Sequence, residues 1–147
     1  MNAQKMWEYF NLTQNIDPEC VDIWSFGADE ESDALAQMVL QGEKTAMSTP
    51  YALFAAMDEP LPEPGDYNVV LDSADEAVCI IKTTKVTVVP FDEVTEEHAY
   101  KEGENDRTLF SWRRSHRRAF SRALLDAEVP YDPDMKVVCE EFQRVYP

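Results

Sequence analysis

Apolar residues near the amino terminus recur at intervals of three and four, which is the spacing of an amphipathic helix. Met6, Trp7 and Phe10 form this stripe. The helix must end before the Asp17-Pro18 pair, because the residue before a proline is driven out of the helical conformation. The pattern predicts a short packing helix at the start of the chain.

A second helix is marked by its ends as well as by its stripe. Leu35, Met38 and Val39 share one side of it, and Asp29 is the predicted N-cap. Gly42 suits the left-handed residue at which a helix ends. Glu30, Glu31 and Asp33, which follow Asp29, are stabilised by the positive end of the helix dipole. The apolar pattern, the cap and the charges therefore all predict a helix that begins here.

The centre of the chain carries the pattern of strands. β-Branched residues gather in 67–71 and in 77–89, and the acidic residues of 72–75 lie between these two runs. This arrangement predicts a pair of antiparallel strands joined by a turn. Another apolar run begins at Lys136 and continues towards Val145, and it predicts a final strand.

Two helices are predicted between the long strand and the last one, a short helix from about Thr95 and a longer helix from Thr108 to Asp126. Strands interrupted by helices, without a repeating strand-helix-strand order, favour an α+β fold with a small barrel over a doubly wound sheet. A length of 147 residues fits one domain.

The charged residues are unevenly distributed along the chain, and this bears on which partners the protein could bind. The formal net charge is −16, which argues against binding of long duplex DNA, since such binding requires a broad basic surface. Six of the seven arginines nevertheless lie within 107–122. We interpret this cluster as a binding surface for a partner, and single-stranded RNA or a nucleotide fits such a narrow basic strip. Pairing of the arginines with the many acids of the chain is the alternative.

The long predicted helix separates apolar from basic residues. Its apolar face consists of Leu109, Trp112, His116, Phe120 and Leu124, and its outward ridge consists of Arg114, Arg118 and Arg122, with Arg113 and Arg117 at the border. On that face His116 is expected first as a hydrogen-bonded core histidine. Trp112 is expected first as a core residue and second as a platform for base stacking.

Lys44 and Glu102 are candidates for chemistry. The sequence around Lys44 lacks the glycine spacing of a phosphate-binding loop, so a solvated lysine after a helix cap is one interpretation. A desolvated Lys44 that acts as a base or as an anion clamp is the other. Glu102 is either the exposed end of a helix or the carboxylate that holds Lys44 and shuttles protons.

The residues that could bind a metal ion are mostly carboxylates. His98 and His116 are the two histidines of the chain, so a zinc site built mainly of imidazoles is not supported. Glu102, Glu104 and Asp106 are the candidate ligands, and they suit a weakly held magnesium or manganese ion.

The cysteines indicate a reducing compartment. Cys20, Cys79 and Cys139 are odd in number and contain no C-x-x-C pair, so we expect reduced thiols and a cytoplasmic location. No apolar run reaches the length of a membrane span, and the first residues lack the layout of a secretory signal. We therefore expect no membrane partner.

Several segments together resemble the ASCH domain family, specifically its small stand-alone bacterial members. They are Trp24-Ser25-Phe26-Gly27, Gly42-Glu43-Lys44-Thr45-Ala46, Pro64-Gly65-Asp66, Pro90-Phe91-Asp92-Glu93-Val94, Ala99-Tyr100-Lys101-Glu102-Gly103-Glu104, Trp112 with His116, and Val138-Cys139-Glu140-Glu141-Phe142. The resemblance divides the chain into an N-terminal helical extension, residues 1–22, and the domain itself, residues 23–147.

This resemblance implies a PUA-like β-barrel with flanking helices and a cleft that holds Gly42 and Lys44. Related members are associated with RNA. Some cleave single-stranded RNA with a divalent metal, and a distant branch deacetylates N4-acetylcytidine with a Thr nucleophile, a Lys base and a Glu. By position the Lys and the Glu are Lys44 and Glu102, but Met47 occupies the Thr position. A thioether cannot be acylated in such a cycle.

Three hypotheses follow. The first is an RNA- or nucleotide-binding domain with metal-assisted ribonuclease activity, in which Lys44 and Glu102 are catalytic and Glu104 helps to hold a cation. Its substrate contacts are Trp24, Gly42, Thr45, Trp112, Arg113, His116 and Arg117. The second is an amidohydrolase on N4-acetylated cytidine-type nucleosides, with Ser48 as nucleophile and Lys44 as base. The third is a non-catalytic interaction module. A homodimer is left open.

Overall fold

The computed structural model describes residues 1–17, 20–27 and 29–147. Its helices are α1 (Ala3–Asn11), α2 (Asp29–Gln41), α3 (Tyr51–Ala56), α4 (Glu96–Glu102) and α5 (Leu109–Asp126), with one turn of 3₁₀ helix at Phe91–Glu93. Its strands are β1 (Val21–Ser25), β2 (Ala46–Pro50), β3 (Tyr67–Leu71), β4 (Ala77–Pro90) and β5 (Lys136–Tyr146). The capping contact predicted for the Asp29 side chain lies outside the described part of the chain.

The five strands form one curled sheet, a half-barrel with the order β1-β3-β4-β5-β2. β1 pairs with β3 in parallel, and the other three pairs are antiparallel. β4 and β5 pair from Ile80 with Tyr146 to Pro90 with Lys136, and their register shifts twice. Such irregularities increase local twist and bend, which helps a long hairpin to curl.

The elements predicted from the hydrophobic pattern are present. The structure confirms the antiparallel pair β3–β4, the final strand β5, and helices α1, α2, α4 and α5. β1, β2 and α3 were not predicted from the hydrophobic pattern. β1 is short and its side chains are half-buried or exposed, and none of the side chains of α3 is buried, so neither has a clear apolar stripe.

Both faces of the β3–β4 hairpin are covered. Val69 and Ile80 pack against Met6, Trp7 and Phe10 of α1. Their neighbours Val70, Cys79 and Ile81 pack against Ala36 and Val39 of α2. Because side chains alternate between the faces of a strand, α1 and α2 lie on opposite sides of the sheet.

The α5 helix covers part of β5. Trp112, Phe120 and Leu124 pack with Phe91, Val137 and Cys139, as the predicted apolar face requires. Arg114, Arg118 and Arg122 are exposed on the other side of this helix. The amphipathic pattern thus located the buried face of α5 correctly.

The three cysteines differ in their exposure. Cys79 and Cys139 are buried, Cys20 is exposed, and all three are free. Within residues 1–17, 20–27 and 29–147, no helix combines the length and the apolar character needed to cross a bilayer.

Candidate functional site

The carboxyl end of α4 docks on the segment before β2. Thr95 caps α4 by accepting from the backbone N–H of His98, and Gly103 ends it with φ 74°. A Cβ atom at Gly103 would collide with the carbonyl oxygen of Glu43. The backbone N–H of Thr45 donates to the carbonyl oxygen of Lys101 at 2.7 Å. This close approach, which only glycine permits, brings Lys44 next to Glu102.

Lys44 is a buried ion-paired ammonium. Its Nζ lies 2.9 Å from Oε2 of Glu104 and 3.4 Å from Oε1 of Glu102, and its side chain is 2% exposed. It also donates to the carbonyl oxygen of Glu102 at 3.3 Å and lies 5.5 Å from the centre of the Phe26 ring. The solvated-lysine interpretation is therefore wrong, and the structure brings together the two residues on which the hypotheses depend.

Besides Lys44, four side chains contact the Glu102 carboxylate. Its Oε2 accepts from Ser48 Oγ at 2.6 Å and from the indole N–H of Trp112, and lies 3.0 Å from Nε2 of His98. Its Oε1 lies 3.2 Å from Nε2 of His116. Burial by itself raises the pKa of this carboxyl, but hydrogen bonds with His116 and His98 and the charge of Lys44 outweigh burial and hold the pKa well below its usual range. Glu102 is a buried, ionised carboxylate.

His98 is charged at neutral pH. Burial opposes its protonation, yet hydrogen bonds with Cys139 and Glu102 outweigh burial and raise its pKa to about 9. Its Nε2 lies 2.7 Å from Oγ of Ser48. His98 was noted in the sequence only as one of two histidines, but its position four residues before Glu102 on a helix could have indicated the contact.

Trp112 and His116 form a stacked pair inside the protein. Their ring centres are 4.3 Å apart, with 14° between the planes, and the side chains are nearly fully buried. Nδ1 of His116 lies 2.9 Å from the carbonyl oxygen of Trp112. Both rings thus contact Glu102 and pack in the core beneath α5. This confirms the prediction that His116 and Trp112 are first of all core residues.

Ser48 and Met47 lie on opposite faces of β2. Ser48 contacts Glu102 and His98, whereas Met47 packs with the α2 side of the sheet and lines a separate cavity of about 460 Å³. The single-residue offset between them turns the hydroxyl towards Glu102. Lys44, which was expected to be the base for Ser48, instead contacts the two glutamates.

The remaining cleft candidates are distributed over the fold. Gly42, with φ 84°, ends α2 at the surface, and Thr45 Oγ donates to the carbonyl oxygen of Lys101 at 3.4 Å. Trp24 lines the same cavity as Met47, and its indole N–H donates to Oδ1 of Asn68 at 2.8 Å. Trp24 is therefore separated from the Glu102 cluster by the sheet.

The expected divalent cation does not fit this cluster. Glu102, Glu104 and His116 offer ligand atoms within 4.8 Å of one another, which is the spacing of a metal site. The ammonium of Lys44, however, already lies 2.9 Å from Glu104 and 3.4 Å from Glu102. Because a cation at this place would meet a positive charge, binding would require Lys44 to leave. No chemical step is therefore assigned to a metal.

The arginines of the basic segment fall into two groups. Four make contacts within the protein. Arg107 lies over the Tyr100 ring at 3.7 Å, Arg113 donates to the carbonyl oxygen of Asp92, Arg117 lies 5.4 Å from the centre of the Phe91 ring, and Arg122 lies 3.5 Å from Asp126. Arg114 and Arg118 are exposed and have no such partner among the described residues.

Arg114 and Arg118 border an open depression of about 310 Å³. Ser111, Ser115 and Asn105 complete its lining. Guanidinium groups with hydroxyl and amide donors between them are the groups that bind phosphate oxygens in proteins. The border residues Arg113 and Arg117, which were the predicted contacts, do not line this depression.

The chemistry of the buried cluster favours a stable ion network. Two anions, Glu102 and Glu104, face two cations, Lys44 and His98, so its charge is balanced. Ser48 donates its proton to Glu102, whose lowered pKa makes it a weak base. A protonated His98 cannot accept that proton either. In this arrangement the hydroxyl of Ser48 is not activated.

Comparison with known proteins agrees with this architecture. The ASCH domain family model matches residues 22–146, and the chain belongs to the ASCH domain family. The ASCH domain of Lactobacillus crispatus JV V101 superposes with a TM-score of 0.85 at 29% identity, covering 98% of this chain and 94% of that one. A protein from Enterococcus faecalis V583 gives a TM-score of 0.90 at 33% identity, covering 99% and 88%.

A more distant solved structure shares the fold alone. An ASCH domain protein of Zymomonas mobilis aligns with a TM-score of 0.50 at 11% identity, covering 84% of this chain and 68% of that one. The comparison with curated proteins gave no match. Together with the sheet, these neighbours confirm the expected α+β, PUA-like fold, and the expected barrel takes the form of a half-barrel.

Proposed function

We propose that this chain is a binding domain for single-stranded RNA or a nucleotide, and that α5 provides the phosphate contact. The observation that carries the proposal is the depression bordered by Arg114 and Arg118, which Ser111 and Ser115 also line. If charge balance explained the arginines, acids would pair with them. Within the described part of the chain, no acid pairs with these two guanidinium groups, although the net charge of the chain is −16.

The geometry suits one or two phosphates better than a duplex. Arg114 and Arg118 are one helical turn apart, so both guanidinium groups reach the same side of α5. Acidic surface elsewhere repels a long polyanion, whereas a short single strand contacts only a local strip.

Binding does not require hydrolysis. Lys44 and Glu102 are buried and paired with each other, so they support α4 and β2 and leave phosphate contact to the surface arginines. Metal-assisted cleavage would need a cation in the place of the Lys44 ammonium, and amide hydrolysis would need an activated Ser48. We therefore expect intact RNA and intact N4-acetylcytidine after incubation with the protein.

The test is fluorescence anisotropy with a labelled single-stranded RNA oligonucleotide at low salt. Arg114→Gln with Arg118→Gln should weaken binding at least about tenfold and reduce the salt slope by about one to two. The matched control is Arg122→Gln on the same helix, whose partner is Asp126. This control should change binding less than about twofold, since one rim charge is worth little.

Three results contradict the proposal. The native protein shows no binding at low salt, the double variant binds as tightly as the native protein, or the duplex competes as well as the single strand. Cleavage of the RNA with manganese present, or release of cytidine, would replace the binding role by hydrolysis. Gel analysis of the same samples reports cleavage directly.

A further inference from the structure

A second concave site lies on the side of the sheet away from Glu102. Strands β1, β2, β3 and β5 and the loop before β3 enclose a cavity of about 460 Å³. Four carboxylates line it, namely Asp22, Glu59, Asp66 and Glu140. Among the residues that the structure describes, no lysine, arginine or histidine lines it. The cavity is therefore strongly negative and is unsuited to phosphate.

Glu140 is the unusual member of this set. Its residue is 5% exposed, and within the described chain its carboxylate has no hydrogen bond and no ion pair, although it borders the cavity. Burial is the larger cause and the charge of Asp66 the smaller one, and together they raise the pKa of Glu140 to about 7. Because its oxygens border the cavity and have no partner among the described residues, a cationic or donor group bound in the cavity would satisfy them.

The cavity also contains a fixed aromatic wall. The indole of Trp24 is held by its hydrogen bond to Asn68 at 2.8 Å and by edge contact with Phe26 at 4.8 Å between ring centres. Leu61 and Phe54 add apolar surface. An aromatic face near carboxylates attracts organic cations, and the apolar wall accommodates carbon atoms.

From these contacts we infer that the cavity binds a small organic cation, with its ammonium group at Glu140 and its alkyl part against Trp24. A phosphate is disfavoured by the four carboxylates. A bare metal ion is disfavoured because, among the described residues, these acids do not bring three ligand atoms within 4.8 Å of one another. A charged amine satisfies Glu140 and the apolar wall together.

This site is independent of the proposed phosphate contact. Glu140 follows Cys139, which packs with α5, so the two side chains lie on opposite faces of β5. Substitutions at Glu140 should leave binding at Arg114 and Arg118 unchanged. Failure of one proposal therefore leaves the other intact.

The test is calorimetric titration of the native chain with n-butylammonium, and with n-butanol as the uncharged probe of similar shape. Butylammonium should bind at millimolar concentration or below, and butanol should bind at least about tenfold more weakly. Its affinity should increase as the pH rises through about 7, because the ammonium selects the ionised carboxylate of Glu140. The other titratable groups that face this cavity are the carboxylates of Asp22, Glu59 and Asp66.

Two variants separate binding from folding. Glu140→Gln keeps the shape and removes the charge, and should weaken butylammonium at least about tenfold. Glu141→Gln is the matched control, because Glu141 is next along β5 and contacts Lys101 instead. Circular dichroism establishes that each variant is folded, and Asp66→Asn gives a second, smaller loss if Glu140→Gln does not fold.

The inference is overturned if butanol binds as tightly as butylammonium, or if Glu140→Gln retains native affinity. It is equally overturned if the native chain shows no heat with butylammonium at about 10 mM, a concentration at which weak site binding is detectable. Equal losses in Glu140→Gln and Glu141→Gln would indicate general charge attraction and would also reject the site.

Discussion

The ammonium of Lys44 lies 3.4 Å from Oε1 of Glu102, and each side chain is 2% exposed. The two residues are fifty-eight positions apart in the chain and meet because α4 docks on the segment before β2. Their contact is the centre of a balanced ion cluster. Its stability and its titration can be tested directly.

Lys44→Met should strongly destabilise the protein. Methionine fills a similar volume but leaves the buried Glu102 beside the partly exposed Glu104 with one cation fewer, at a cost of about 3–5 kcal/mol in the free energy of unfolding. Urea denaturation measures the change. Lys101→Met is the control, because its ion pairs with Glu97 and Glu141 are partly exposed and its effect should be much smaller. Equal losses would contradict the buried-cluster interpretation.

His98 should make stability fall in mild alkali. Its pKa is raised from 6.5 to about 9 on folding, so its contribution is fully present below pH 6.5 and disappears as the pH rises through about 9. A shift of this size corresponds to about 3 kcal/mol. Thermal unfolding between these pH values should show the loss in the native protein. In His98→Gln, which keeps a donor but does not titrate, the loss over this range should be absent.

Glu140 should change the stability of the protein at a lower pH than His98 does. Its pKa is raised from 4.5 to about 7 in the folded protein, so the stability it contributes is fully present below pH 4.5 and is lost as the pH rises through about 7. Glu140→Gln should therefore increase the free energy of unfolding by about 3 kcal/mol above pH 7 and leave it unchanged near pH 4. Denaturation at both pH values measures the difference. A variant less stable than the native protein at high pH would refute this account.

Divalent cations should not stabilise the native protein. The Lys44 ammonium lies beside Glu102 and Glu104, two of the three residues that have the spacing of a metal site. Magnesium, manganese and EDTA should each leave the melting temperature unchanged. A manganese-dependent increase in melting temperature, absent in Glu104→Gln, would show that a cation displaces the lysine.

Gly103→Ala should disturb the docking of α4. The added Cβ meets the carbonyl oxygen of Glu43, and the residue also requires φ 74°. We expect a loss of about 1–3 kcal/mol in the free energy of unfolding. Gly42→Ala is the matched control, since its φ is 84° but nothing lies within 4 Å of the added atom. A larger loss in the control would show that backbone strain, and not the collision, decides the effect.

Some features of this protein follow from the sequence alone. The spacing of Met6, Trp7 and Phe10, and of Trp112, Phe120 and Leu124, correctly identified the packed faces of α1 and α5. Periodicity is a local property, so it survives without knowledge of the fold. The same argument placed β3, β4 and β5, and the motifs around Gly42 and Glu102 indicated the family.

Other features depend on long-range contacts. The parallel pairing of β1 with β3 and the clustering of Ser48, His98 and Glu102 join residues that are far apart in the chain. The sequence could have drawn attention to Glu140, because it is a charged residue in an inward-facing series with Val138 and Phe142. It could not have shown that the Glu140 carboxylate has no partner among the described residues. Pattern determines which side of an element is buried. Only tertiary packing decides which polar groups are neutralised there, because that depends on what the opposing element brings within hydrogen-bond distance.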